Sequence, residues 1–82
     1  MISKSIEKFL LTEIAADLSK ESLDPEEDLI EQRIIDSLGI LRLVVFLEGT
    51  FGIKVMDEDI VPENFQSLKN MVSFVEQKMQ NK

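Results

Sequence analysis

Ile34-Ile35-Asp36-Ser37-Leu38-Gly39-Ile40-Leu41-Arg42-Leu43-Val44-Val45-Phe46-Leu47-Glu48 is the stretch that decides how this chain folds. A small polar pair, Asp36-Ser37, divides an apolar lead-in from an almost wholly apolar segment. Asp and Ser are favoured just before a helix because their side-chain oxygens accept backbone N–H groups that the first turn leaves unpaired. The pattern predicts a helix that starts at Asp36 or Ser37. It should end near Phe51-Gly52, where glycine can take the left-handed conformation that closes helices. At ~100° per residue, Ile40, Leu43, Val44, Leu47 and Phe51 share a core face, with Arg42 and Gly49 roughly opposite. Leu38, Leu41 and Val45 form a second apolar stripe beside Ser37, surplus to what an outer helix of a small bundle needs. Either the preceding loop buries it through Ile30 or Ile34, or it docks a partner. Contiguous exposed apolar surface marks interaction sites, and the docking reading is preferred.

Outward from this helix, the N-terminal segment repeats apolar residues at Ile2, Ile6, Leu10, Ile14 and Leu18, with Phe9 and Leu11 widening the stripe: an amphipathic core-facing helix. Periodicity then lapses from Ser19 to Ile35. Asp24-Pro25-Glu26-Glu27 reads as a capped turn, and Leu23, Leu29, Ile30, Ile34 and Ile35 can pin this long loop to the bundle. After Gly52, Ile53-Lys54-Val55 is a short extended link. Asp57 to Val61 fits a brief helical turn stopped by Pro62. Ser67 caps a last helix with the stripe Leu68, Met71, Val72, Val75 and Met79; both methionines are expected in the core. The fold predicted is all-α: three main helices plus one short helix, with a long loop between the first two, in a single domain spanning residues 1–82.

The chain has 82 residues, no cysteine and no histidine, which excludes disulfides and the common zinc sites. Sixteen acidic residues against nine basic ones give a net charge of −7. Such a field disfavours nucleic acid and anionic membrane as partners and favours basic protein surfaces. The longest purely apolar run, Leu43 to Leu47, is far short of the ~20 residues needed to cross a bilayer. The N-terminus lacks the apolar core of a signal peptide, and a cytoplasmic monomer is expected. Asp57-Glu58-Asp59 lacks the spacing of a calcium loop, Glu26-Glu27-Asp28 reads as a solvated face, and no metal is expected.

Ser37 has no histidine to deprotonate it and no Ser-x-x-Lys spacing around it, so no catalytic residue is assigned. A helix start can instead hold a phosphate on its free N–H groups and positive dipole end. Asp36-Ser37-Leu38 opening an apolar helix, with the long loop before it and Glu48 and Phe51-Gly52-Ile53 after it, resembles the acyl carrier protein family along nearly the whole chain. That resemblance implies a 4′-phosphopantetheine arm on Ser37, added from coenzyme A by a phosphopantetheinyl transferase. It implies an acyl or aminoacyl thioester on the arm's thiol, exchanged with loading ligase or synthase enzymes. It also implies transferase docking at Asp36 and partner contact at Leu38, with Leu41, Arg42, Val45 and Glu48 as further partner-facing candidates.

Family members serving fatty-acid synthesis carry acids along the outward side of this helix. Here those positions include Gly39, Arg42 and Gly49, with Glu48 retained. Pro62-Glu63-Asn64-Phe65 also resembles discrete carriers, and together these departures favour a dedicated pathway of polyketide, nonribosomal-peptide, aminoacyl or specialised-lipid type. Arg42 is expected to face an approaching enzyme and repel wrong partners. The alternatives are a housekeeping fatty-acid carrier, an acidic helical adaptor in which Ser37 is only a cap, and a module regulated by phosphorylation of Ser37.

Overall fold

In the computed structural model, which describes residues 2–14 and 23–80, four α-helices follow one another: α1 (Ile2–Phe9), α2 (Ser37–Phe51), α3 (Pro62–Phe65) and α4 (Leu68–Gln80). The expected contribution of Leu18, and the loop from Ser19 to Ser22, lie outside the described residues. α1 does not continue as a regular α-helix: Leu10–Ile14 widens into a π-helical segment. The Thr12 hydroxyl donates to the Lys8 carbonyl at 2.8 Å, a side-chain bond of the kind that bends helices.

One cluster of buried residues joins the elements. Ile6 and Leu10 come from the first segment, Leu23, Leu29 and Ile35 from the loop, and Leu43 and Leu47 from α2. Ile53, Phe65, Leu68, Met71, Phe74 and Val75 complete it. The loop pins therefore act as expected, with Ile30 and Ile34 partly buried against the same core. Leu29 N–H donates to the Gln66 carbonyl at 2.6 Å and Lys69 N–H to the Pro25 carbonyl at 2.9 Å, tying the loop to the start of α4. Asp24 closes its turn by accepting Glu26 N–H at 2.9 Å.

Three expectations about packing are corrected. Met79 is 42% exposed, and the stripe on α4 runs instead through Phe74, whose ring lies 5.6 Å from that of Phe65. With Met71, Phe74 and Val75 buried, Met79 is left at the margin of the stripe in the last turn. Gly39 is buried against Ile35 and Ile14, so it is no outward position. Pro62 does not only end the preceding turn, a 3₁₀ turn at Asp57–Asp59; it opens α3 at a first-turn position, where its missing N–H costs nothing. The Ser67 hydroxyl does cap α4, accepting Asn70 N–H at 3.1 Å.

Candidate functional site

Asp36 sits in extended backbone and its Oδ1 accepts Gly39 N–H at 2.8 Å, which makes it the N-cap of α2. Ser37 is then the first helical residue. It is exposed, and among the described residues its hydroxyl makes no hydrogen bond. The division of labour is clear: the aspartate holds the helix start, and the serine hydroxyl stays available. At the other end Gly52 adopts φ 66°, and its N–H donates to the Glu48 carbonyl at 3.0 Å. Both ends of the helix lie where the sequence puts them.

The core face of α2 is turned from the expected one toward α1. Leu43 and Leu47 are fully buried with Gly39 beside them, whereas Ile40, Val44 and Phe51 are only partly buried. Phe46 stacks on Phe9 with ring centroids 4.3 Å apart. This rotation sends the second stripe straight outward: Leu38 is 67% exposed, Leu41 56% and Val45 71%. Ile30 and Ile34 pack on the core and leave the stripe uncovered.

Two candidate docking residues have other commitments. Arg42 does not stand free opposite the core. Its Nη1 donates to the Glu13 carbonyl at 2.8 Å and its Nη2 to the Glu13 carboxylate at 3.2 Å, because the rotation of α2 brings it alongside the end of the first helical segment. Glu48 accepts Val55 N–H at 2.9 Å and so anchors the link after the helix. It is the single carboxylate on α2, which leaves the outward face of that helix without a free acid.

On the other side of Ser37 lies an open groove of about 580 Å³, walled by Ile30, Ile35, Ile40, Ile60, Val61 and Pro62, with Arg33 also lining it. Sequence reasoning missed this groove, since its far wall comes from more than twenty positions along the chain. It also missed Arg33, which takes φ 61°, a backbone angle that usually signals glycine. No group of three or more His, Cys, Asp or Glu side chains among the described residues could hold a metal ion.

An unengaged hydroxyl on the first turn of a capped helix, with open space on both sides, suits covalent attachment of a phosphate-linked group. The comparisons agree with that class of site. The family described as "Phosphopantetheine attachment site" matches residues 8–75. An acyl carrier protein of Phytoplasma mali (strain AT) is 28% identical over 99% of this chain and 92% of its own length. The protein named "Probable acyl carrier protein PigG" from Serratia sp. (strain ATCC 39006) is 34% identical over 87% of this chain and 85% of its own. The D-alanyl carrier protein of Streptococcus pyogenes serotype M5 (strain Manfredo) is 36% identical over 63% and 66%.

The chain belongs to the phosphopantetheine-dependent carrier protein family. Its cofactor is a covalently attached 4′-phosphopantetheine, its partners include a phosphopantetheinyl transferase and acyl-loading enzymes, and it is a carrier without catalysis of its own.

Proposed function

We propose that Ser37 is the attachment point, and that the protein carries an acyl or aminoacyl group between the enzymes of a dedicated pathway. The observation that carries this reading is the free, exposed Ser37 hydroxyl on a helix that Asp36 already caps. The arm supplies the thiol that this cysteine-free chain lacks. Asp36, next to the modified residue, is exposed to the transferase as well as capping α2. Leu38, Leu41 and Val45 form the face that partner enzymes meet.

The pathway assignment rests on what that face lacks. General fatty-acid carriers, as the family resemblance implies, offer carboxylates here to basic enzyme surfaces. On this chain Glu48 is engaged and Arg42 is paired, so the docking face is apolar. The acids lie on other elements, in the loop and around Asp57 and Glu58. A partner with an apolar recognition patch suits this arrangement better than a basic one. The protein acts as one cytoplasmic domain with no nucleic-acid or membrane partner; no helix among the described residues is long and apolar enough to cross a membrane.

The test is the intact mass after incubation with a broad-specificity transferase and coenzyme A, followed by peptide mapping. One phosphopantetheine on Ser37 and on no other serine is expected. An unmodified protein, or an adduct at Ser67, would sink the assignment and favour the helical adaptor.

A further inference from the structure

Arg33 and Ser37 line the same groove from adjacent turns of the chain. The backbone of Arg33 is fixed by the turn that precedes α2. Asp28 accepts Ile30 N–H at 3.1 Å and Glu31 N–H at 2.9 Å, Arg33 N–H reaches the Ile30 carbonyl at 3.0 Å, and Ile34 and Ile35 both donate to the Leu29 carbonyl at 2.9 and 3.1 Å. That turn ends on Arg33 at φ 61°, an angle that disfavours any side chain with a Cβ. An arginine nevertheless occupies it and is exposed.

The guanidinium has no ion pair among the described residues, whereas Arg42, Lys69 and Lys78 each hold a carboxylate. The other charged residue lining the groove is Asp36, and its Oδ1 already accepts the Gly39 N–H. The remaining walls are apolar apart from Ser37 itself. An unpaired guanidinium at the edge of an apolar cavity is a strong binder of a phosphate oxyanion, since its planar donors match two oxygens at once and it is weakly hydrated. The attachment of the arm at Ser37 would place one such oxyanion beside this groove.

We propose that Arg33 pairs with the phosphodiester on Ser37 and thereby orients the root of the arm toward the Ile60–Pro62 groove, away from the Leu38, Leu41 and Val45 face. The proposal rests on Ser37 being the attachment point. Arg33 is a positioning residue: it biases where the arm lies when no partner is bound, and leaves the apolar face clear for docking.

The experiment compares the full chain in apo and holo forms as wild type, Arg33→Lys and Arg33→Gly. Glycine suits the backbone angle, so that variant should fold at least as well as wild type while lacking the cation. Phosphorus NMR reads the phosphodiester directly, and amide maps read where the arm lies. In wild type, the phosphorus resonance should be displaced from its position in the urea-denatured holo chain. Apo-to-holo amide changes should extend to Ile40, Ile60 and Val61. Arg33→Lys should retain part of both effects. Arg33→Gly should lose the displacement and confine amide changes to the neighbourhood of Ser37. If holo Arg33→Gly keeps the wild-type phosphorus shift and groove changes, the pairing is overturned while the attachment reading stands. Absence of any adduct at Ser37 overturns both.

Discussion

Arg42 on α2 is bound to Glu13 at the end of the first helical segment, through the carbonyl at 2.8 Å and the carboxylate at 3.2 Å. The two residues stand 29 positions apart, and their bridge ties the helix bearing Ser37 to the N-terminal part of the molecule. An exposed ion pair contributes ~0.2–1 kcal/mol, and the bond to a helix-end carbonyl adds to it. Arg42→Glu should therefore lower stability by about 1 kcal/mol in urea denaturation. The charge swap Glu13→Arg with Arg42→Glu should recover part of the loss. Equal stability of wild type and Arg42→Glu would show that the bridge contributes nothing.

Asp36 and Ser37 divide between them two roles that sequence alone leaves merged. Asp36→Ala removes the cap and should cost ~1 kcal/mol. Ser37→Ala should leave the thermal melt within about 0.5 kcal/mol of wild type and abolish phosphopantetheine loading. A Ser37→Ala protein that fails to fold would make the serine a structural residue.

The exposed face of α2 gives a prediction about salt. Leu41→Glu or Val45→Glu should leave the fold intact, because both side chains are largely exposed. Each should raise the KM for a cognate loading enzyme by about tenfold, the equivalent of ~1.4 kcal/mol. Wild-type KM should change little between low and high ionic strength, since a docking surface without free carboxylates has little charge to screen. A steep rise of KM with salt would mean that acids outside this face recruit the partner.

How far the sequence reached depends on how local each interaction is. The limits of α2 could be read because Asp36 meets an N–H three residues on, and Gly52 needs nothing but its own backbone angle. The loop pins were legible for a similar reason, since large aliphatics in a polar loop have few places to go but the core. Arg42 was misplaced because a helical wheel drawn from α2 alone centres the core between Ile40 and Leu47. The stack of Phe46 on Phe9, a contact between distant segments, turns the helix toward α1. The groove beside Ser37 escaped notice for that reason too: Ile60, Val61 and Pro62 reach it only through tertiary packing.

Asp59 gives a pH-dependent contribution. Its carboxylate lies 2.5 Å from Lys78 Nζ and accepts Met56 N–H at 2.9 Å. The hydrogen bond from Lys78 is the main reason that its pKa lies below 3.8, followed by the Met56 N–H; burial opposes them and the lysine charge adds in the same direction. A carboxylate with a depressed folded-state pKa adds stability that is fully present above its unfolded value and lost as pH falls through its folded value. Wild type should therefore exceed Asp59→Asn by up to about 1 kcal/mol at neutral pH, a gap that closes below pH 3.8. A gap that persists unchanged at acid pH would assign the effect to packing.

With a net charge of −7, the remaining acids repel one another. Added sodium chloride should raise the melting temperature by several degrees. Magnesium chloride at equal ionic strength should do no more, because the described acids do not converge into a cation site. A melting curve indifferent to salt would show that the carboxylates are already balanced.

The two backbone bridges between the long loop and the start of α4, Leu29 to Gln66 and Lys69 to Pro25, use no side-chain atoms. Substitutions along the exposed part of that loop therefore leave its anchoring intact. Mutational drift at Glu26, Glu31 or Gln32 can retune the molecule's charge toward a new enzyme while the serine keeps its station. In hydrogen exchange this would appear as slow amides at Leu29 in the loop and at Lys69 in the first turn of α4, unchanged by substitution at Glu26, Glu31 or Gln32, the mark of a rigid mount beneath a changeable surface.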